Sequence, residues 1–178
     1  MGNVEHLIIR QERADDRDAV YEVVKEAFAK AAYADGDEQD LVNRLRNSAE
    51  FIPELSLVAE LEGEIVGHIL FTRLIIAQKT ELALAPVSVK PSFQPMGIGG
   101  ELIVHGHEIA AGLGYKAVVL VGHADYYPQF GYAPAGKYGI KAHFAVPDEN
   151  FMVKFLSADG VYNISALVTY SSAFSETE

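Results

Sequence analysis

Leu57, Ala59 and Leu61 alternate with other side chains, and Ile65, Gly67, Ile69 and Phe71 resume the alternation after Glu62-Gly63. This period of two predicts a pair of strands joined by a tight turn. Elsewhere the period lengthens. Val20, Val23, Val24, Ala27, Phe28 and Ala31 fall at helical spacing, with Asp15 or Asp16 as the cap. A shorter helix follows, capped by Asp37 and edged by Leu41 and Leu45. Ahead of both helices, Glu5 to Arg10 reads as a first strand.

A fourth strand runs from about Leu82 to Val89. It contains Pro86, which has no amide hydrogen and so belongs at a bulge or an edge. Leu102, Ile103, Gly106, Ile109, Ala110 and Leu113 then place one apolar face on a helix, and Gly114 supplies a left-handed stop. Lys116 to Val121 is a nearly continuous apolar run, the pattern of a strand buried on both faces. Strand, glycine loop, helix and strand make a βαβ crossover, so strands four and five are expected to be parallel neighbours. Phe151 to Leu156 and Ile164 to Tyr170 read as late strands. No repeat or linker interrupts the pattern, which predicts one mixed α/β domain over residues 1–178.

The segment between the fourth strand and the next helix, "VSVKPSFQPMGIGGELI", carries candidate chemistry. Glycines at a helix N-terminus suit an anion, because backbone amides point at it and no Cβ stands in the way. A Walker loop is excluded, since no Lys followed by Ser or Thr comes after the last glycine. A dinucleotide fingerprint fails as well, because Leu102 stands where its third glycine belongs. What remains is Q-x-x-G-x-G, formed by Gln94, Gly97 and Gly99. The amides of Met96, Gly97, Ile98, Gly99 and Gly100 are candidates to surround a pyrophosphate; Pro95 cannot donate.

This run resembles motif A of the GCN5-related N-acetyltransferase (GNAT) superfamily, and "VGHADYYPQFGYAPA" is most similar to its YhbS-type branch. The resemblance covers roughly residues 6 to 135 and is strongest over 82–135. It implies a central mixed, twisted sheet of about six or seven strands, helices on both faces, and a splay between strands four and five. It further implies acetyl-CoA as co-substrate, with its pantetheine arm along Val87, Ser88 and Val89, chiefly through main-chain groups. Tyr127 matches the family's proton donor to the departing sulfur, although a one-residue difference in register would exchange it with Tyr126. The implied function is acetyl transfer to an amine by direct transfer; the alternative is a non-catalytic acyl-CoA-binding or sensing module. A homodimer fits the family.

Charge narrows the partners. The chain carries 25 acidic against 14 basic residues, a net −11, which disfavours a nucleic-acid backbone and favours a cationic acceptor. It lacks cysteine, so neither a disulfide nor an acyl-cysteine intermediate is expected. No signal peptide, myristoylation pattern or membrane span is read, and a cytoplasmic protein is expected. No metal is expected either: His105 and His107 lie two apart on a helix and point in different directions. No general base is assigned, and Glu81, His123 and Asp125 read as solvated residues at strand ends.

Overall fold

In the computed structural model, which describes residues 4–32, 34–160 and 166–175, the alternating segments form the middle of one sheet. β2 (Phe51–Leu61) and β3 (Glu64–Ile76) pair antiparallel across a turn where Glu62 and Gly63 take φ of 50° and 84°. Two positive φ values in succession suit the twist of a two-residue hairpin. β1 (Leu7–Gln11) lies along β2, and β4 (Lys79–Val89) along β3, both antiparallel. β5 (Ala117–Val121) pairs parallel with β4, as the crossover predicts. β8 (Phe151–Phe155) and β6 (Ala133–Pro134) continue the sheet beyond β5. β7 (Ile140–Lys141) pairs with β9 (Ala166–Thr169), which also meets the far end of β3. Ile164 and Ser165, expected to open the last strand, lie outside the described residues.

Alternation along β2 and β3 divides the side chains between two helical layers. Val58 and Leu70 point toward α1 (Arg17–Phe28) and α2 (Glu38–Arg46), where Val20, Val24, Val42 and Leu45 are buried with them. Leu57, Ile69 and Phe71 point the other way, toward Leu102, Ile103 and Ala110 of α3 (Ile98–Gly112). Each such side chain removed from water contributes about 1.5–3 kcal/mol before entropy is counted. α1 stops at Phe28 rather than continuing to Ala31. Asp16 and Asp37 hold the N-cap positions of α1 and α2, but neither side chain caps its helix. The Asp16 carboxylate instead takes two bonds from Arg10, at 2.7 and 2.9 Å, and Asp37 accepts from Arg44 at 2.9 Å.

Two irregularities shape the middle of the sheet. Ile69 faces Val87 and Phe71 faces Leu84, so two steps along β3 match three along β4. The extra residue falls at Ala85-Pro86, which places Pro86 in a bulge where its missing amide costs no ladder bond. Second, β4 and β5 pair only at Leu82–Val118 and Ala83–Val119. Beyond that point they part, and the bulge lies beside the opening.

Candidate active site

The glycine loop sits at the mouth of that opening. Pro91–Met96 forms a short 3-10 helix, and Gly97, in the left-handed region at φ 77°, is the N-cap of α3. A glycine carries no capping side chain, and the first amides of a helix have no partner within it. The amides of Ile98, Gly99 and Gly100 therefore present a positive helix end with bare backbone around it. A Cβ added to Gly99 would lie 3.3 Å from the Tyr126 hydroxyl and 3.7 Å from Val89, so a side chain here would press on Tyr126. The Gln94 side chain donates to the Val89 carbonyl at 3.1 Å and ties the loop to the end of β4. Lys90, beside the loop, is paired with Glu64 at 2.8 Å, which raises its pKa. The site's positive character thus comes chiefly from main-chain amides.

Register decides which main-chain groups of β4 face the opening. The Lys90 amide donates to the Val66 carbonyl at 2.9 Å, so Lys90 and Val66 form a hydrogen-bonded pair. Alternation makes Ser88–His68 the next such pair and turns the amides and carbonyls of Val87 and Val89 away from β3, toward the opening, where Gln94 takes the Val89 carbonyl. Ser88 differs from its two neighbours here: its main chain serves the ladder, and only its side chain remains.

The two tyrosines after β5 separate in space. Tyr127 lies so close over Gly122 that a Cβ there would be 2.3 Å from its ring. It packs edge-on against Tyr126 and Tyr132, with ring centroids 5.0 and 5.8 Å away. Burial, with Tyr126 beside it, pushes its hydroxyl up to about 12, so the phenol stays protonated at neutral pH. Tyr126 is more exposed, and its hydroxyl reaches over Gly99 at the start of α3. Sequence spacing names both tyrosines but does not divide these positions between them. The division follows from Gly122, whose missing side chain admits the Tyr127 ring.

One candidate is corrected. Glu81 is not solvated: it is buried, and its carboxylate accepts the amides of Lys116 and Ala117 at 2.8 and 2.9 Å, fixing the start of β5 beside β4. His123 and Asp125 are exposed. His105 bonds the Glu101 carbonyl at 2.9 Å, whereas His107 turns inward to Tyr132. Among the described residues, no group of three or more His, Asp or Glu is placed to hold a metal ion.

A parallel pair that parts beside a bulge, ahead of a helix capped by glycine, defines an α/β fold with an opening between two strands at a helix N-terminus. The acetyltransferase (GNAT) family model matches residues 17–132, and the chain belongs to that family. It is 37% identical over 163 residues to the uncharacterized N-acetyltransferase YjhQ of Escherichia coli K12, covering 87% of each chain. It also resembles a GNAT family acetyltransferase from Brucella melitensis solved with acetyl-CoA, at 32% identity and TM-score 0.78, over 96% of this chain and 99% of that one. The fold is shared with E. coli YhbS, solved with CoA, at TM-score 0.87 and 22% identity over 100% and 97% of the two chains. The protein is thus an acyltransferase by family, with the GNAT fold.

Proposed function

We propose that the chain works as one N-acyltransferase domain over residues 1–178, moving an acetyl group from acetyl-CoA to an amine by direct transfer. The observation that carries this reading is the opening between β4 and β5, bordered by β4 main chain that faces away from β3 and headed by the bare N-terminus of α3. The amides of Met96, Gly97, Ile98, Gly99 and Gly100 hold the pyrophosphate, while Gln94 keeps their loop against β4. Val87 and Val89 bind the pantetheine arm through main-chain groups, while the main chain of Ser88 stays in the ladder with β3. A β4 amide stabilises the charge that develops on the thioester oxygen.

Tyr127 donates a proton to the departing sulfur. Its raised pKa makes it a weaker acid than a phenol in water, but the same dry surroundings raise the pKa of the thiol it serves. The acceptor is an amine, with a cationic one favoured by the net charge of −11. The cytoplasm suits a chain without cysteine, and among the described residues no helix is long and apolar enough to cross a membrane.

The test combines binding with turnover. Acetyl-CoA at a hundred times its Kd raises stability by about 2.7 kcal/mol, a shift of roughly 5–10 °C for a chain of this size. NAD and ATP leave Tm unchanged. Tyr127→Phe keeps the acetyl-CoA shift and lowers kcat about 100-fold or more, the usual reach of a general acid. No shift with acetyl-CoA overturns the whole reading. A Tyr127→Phe variant with full kcat overturns the role of that residue.

A further inference from the structure

A row of buried polar groups crosses the sheet on the face covered by α1 and α2 and ends at Ser88, on the stretch of β4 beyond its last pair with β5. It starts with Glu12, just after β1, which is paired with Arg46 of α2. Ser56 of β2 donates its hydroxyl to Glu12 at 2.5 Å and lies 3.0 Å from His68 Nε2 of β3. His68 faces Ser88 of β4 as its direct cross-strand partner, so both side chains stand on the same face, with Cβ atoms about 5 Å apart. Three strands and the residue that follows β1 therefore contribute one side chain each.

Hydrogen-bond direction fixes the proton positions along this row. A carboxylate only accepts, and Ser56 has one hydrogen, which goes to Glu12. The 3.0 Å contact must then be donated by His68 Nε2–H, which leaves Nδ1 as a bare lone pair. His68 Nδ1 is buried and has no partner among the described residues, and the same holds for the Ser88 hydroxyl. Two orphan polar atoms on paired residues, at 0% and 1% exposure, are costly to the fold alone. Burial drives His68 toward its neutral form, with Arg46 adding to the shift and Glu12 opposing it. Burial alone would raise the Glu12 carboxyl, but its bonds from Arg46 and Ser56 hold it below the ordinary carboxylate range.

The geometry points to Ser88 as the group that takes the proton from the attacking amine, with His68, Ser56 and Glu12 as the positioning residues behind it. This rests on the acyl-transfer reading above. Nitrogen bonds to the thioester carbon and the carbon–sulfur bond breaks. The proton leaving nitrogen passes to Ser88 Oγ as the Ser88 proton passes to His68 Nδ1, so Ser88 stays neutral throughout. A turn of Ser88 about χ1, or one buried water, closes the last gap. The imidazolium formed is held through Ser56 by the Glu12 carboxylate. The sulfur takes its proton from Tyr127, and exchange with solvent resets both ends.

Two measurements test the relay. Thiol release from acetyl-CoA is followed with spermidine and with a lysine-rich peptide as probes; a chain without cysteine adds no thiol background. Ser88→Ala is expected to lower kcat about 100-fold while KM for acetyl-CoA and its thermal shift stay unchanged. Removing an unpartnered hydroxyl should leave the fold intact. In 15N-histidine spectra of the wild type, the signal lost in His68→Gln should show hydrogen on Nε2 and none on Nδ1. Full kcat in Ser88→Ala, or a proton on Nδ1, overturns the relay and leaves acyl transfer standing. A wild type that binds acetyl-CoA yet releases no thiol with either probe overturns acyl transfer to these amines and the relay with it.

Discussion

His107 Nε2 and the Tyr132 hydroxyl lie 2.7 Å apart, both nearly removed from water. Burial, with Lys154 nearby, lowers His107 from 6.5 to about 4. The sign of the consequence follows from linkage. Above pH 6.5 the histidine is neutral whether the chain is folded or not. Between pH 6.5 and 4 only the unfolded chain binds the proton, so stability falls as pH drops. The loss reaches about 1.4 kcal/mol per pH unit and about 3 kcal/mol in all. Denaturant unfolding at pH 7 and pH 5 checks this: His107→Gln should lose about 2 kcal/mol less than wild type across that step. An equal loss in both would place the linkage elsewhere. Single residues are also where sequence reading reached its limit. Glu81 stands at a strand end in an acidic chain and reads as solvated, because nothing local announces the two amides that meet it from 35 and 36 residues away.

Elements were far easier to read than residues. The period-two runs gave β2 and β3, and the 3.6-residue runs gave α1 and α3, because each pattern needs only its own segment. Pro86 even located the bulge. The row from Glu12 to Ser88 was not legible, since its members come from four segments and share no spacing. How closely α3 approaches the sheet was equally hidden. A Cβ on Gly106 would lie 2.3 and 2.6 Å from the fully buried Phe71 ring, so the helix rests on that ring through a missing side chain. Gly112, in the same helix, has nothing within 4 Å of such an atom. Gly106→Ala should therefore cost about 1–3 kcal/mol net, despite the better helix propensity of alanine. That amounts to a Tm several degrees lower. Gly112→Ala should leave Tm unchanged or raise it. Thermal unfolding of the pair separates packing from propensity, and equal shifts would mean that Phe71 simply moves aside.

Charge acts over the whole molecule, and it bears oppositely on the two proposed substrates. At net −11 the chain repels a polyanionic CoA before contact, and the amides at the start of α3 must hold it at short range. Salt screens the long-range term within about 10 Å at 0.1 M but has little purchase on amides in van der Waals contact with a phosphate. Affinity for CoA should therefore stay level or tighten as salt rises from low to moderate concentration. A cationic acceptor is drawn by the same field, so its KM should rise with salt. Calorimetric titration of CoA and initial rates with spermidine, each across a salt series, measure the two trends. A CoA affinity that weakens steeply with salt would mean that basic side chains, rather than backbone, carry the grip. Lys90, now held by Glu64, would be the first to examine, because breaking that pair is the shortest route to a free cation beside the loop.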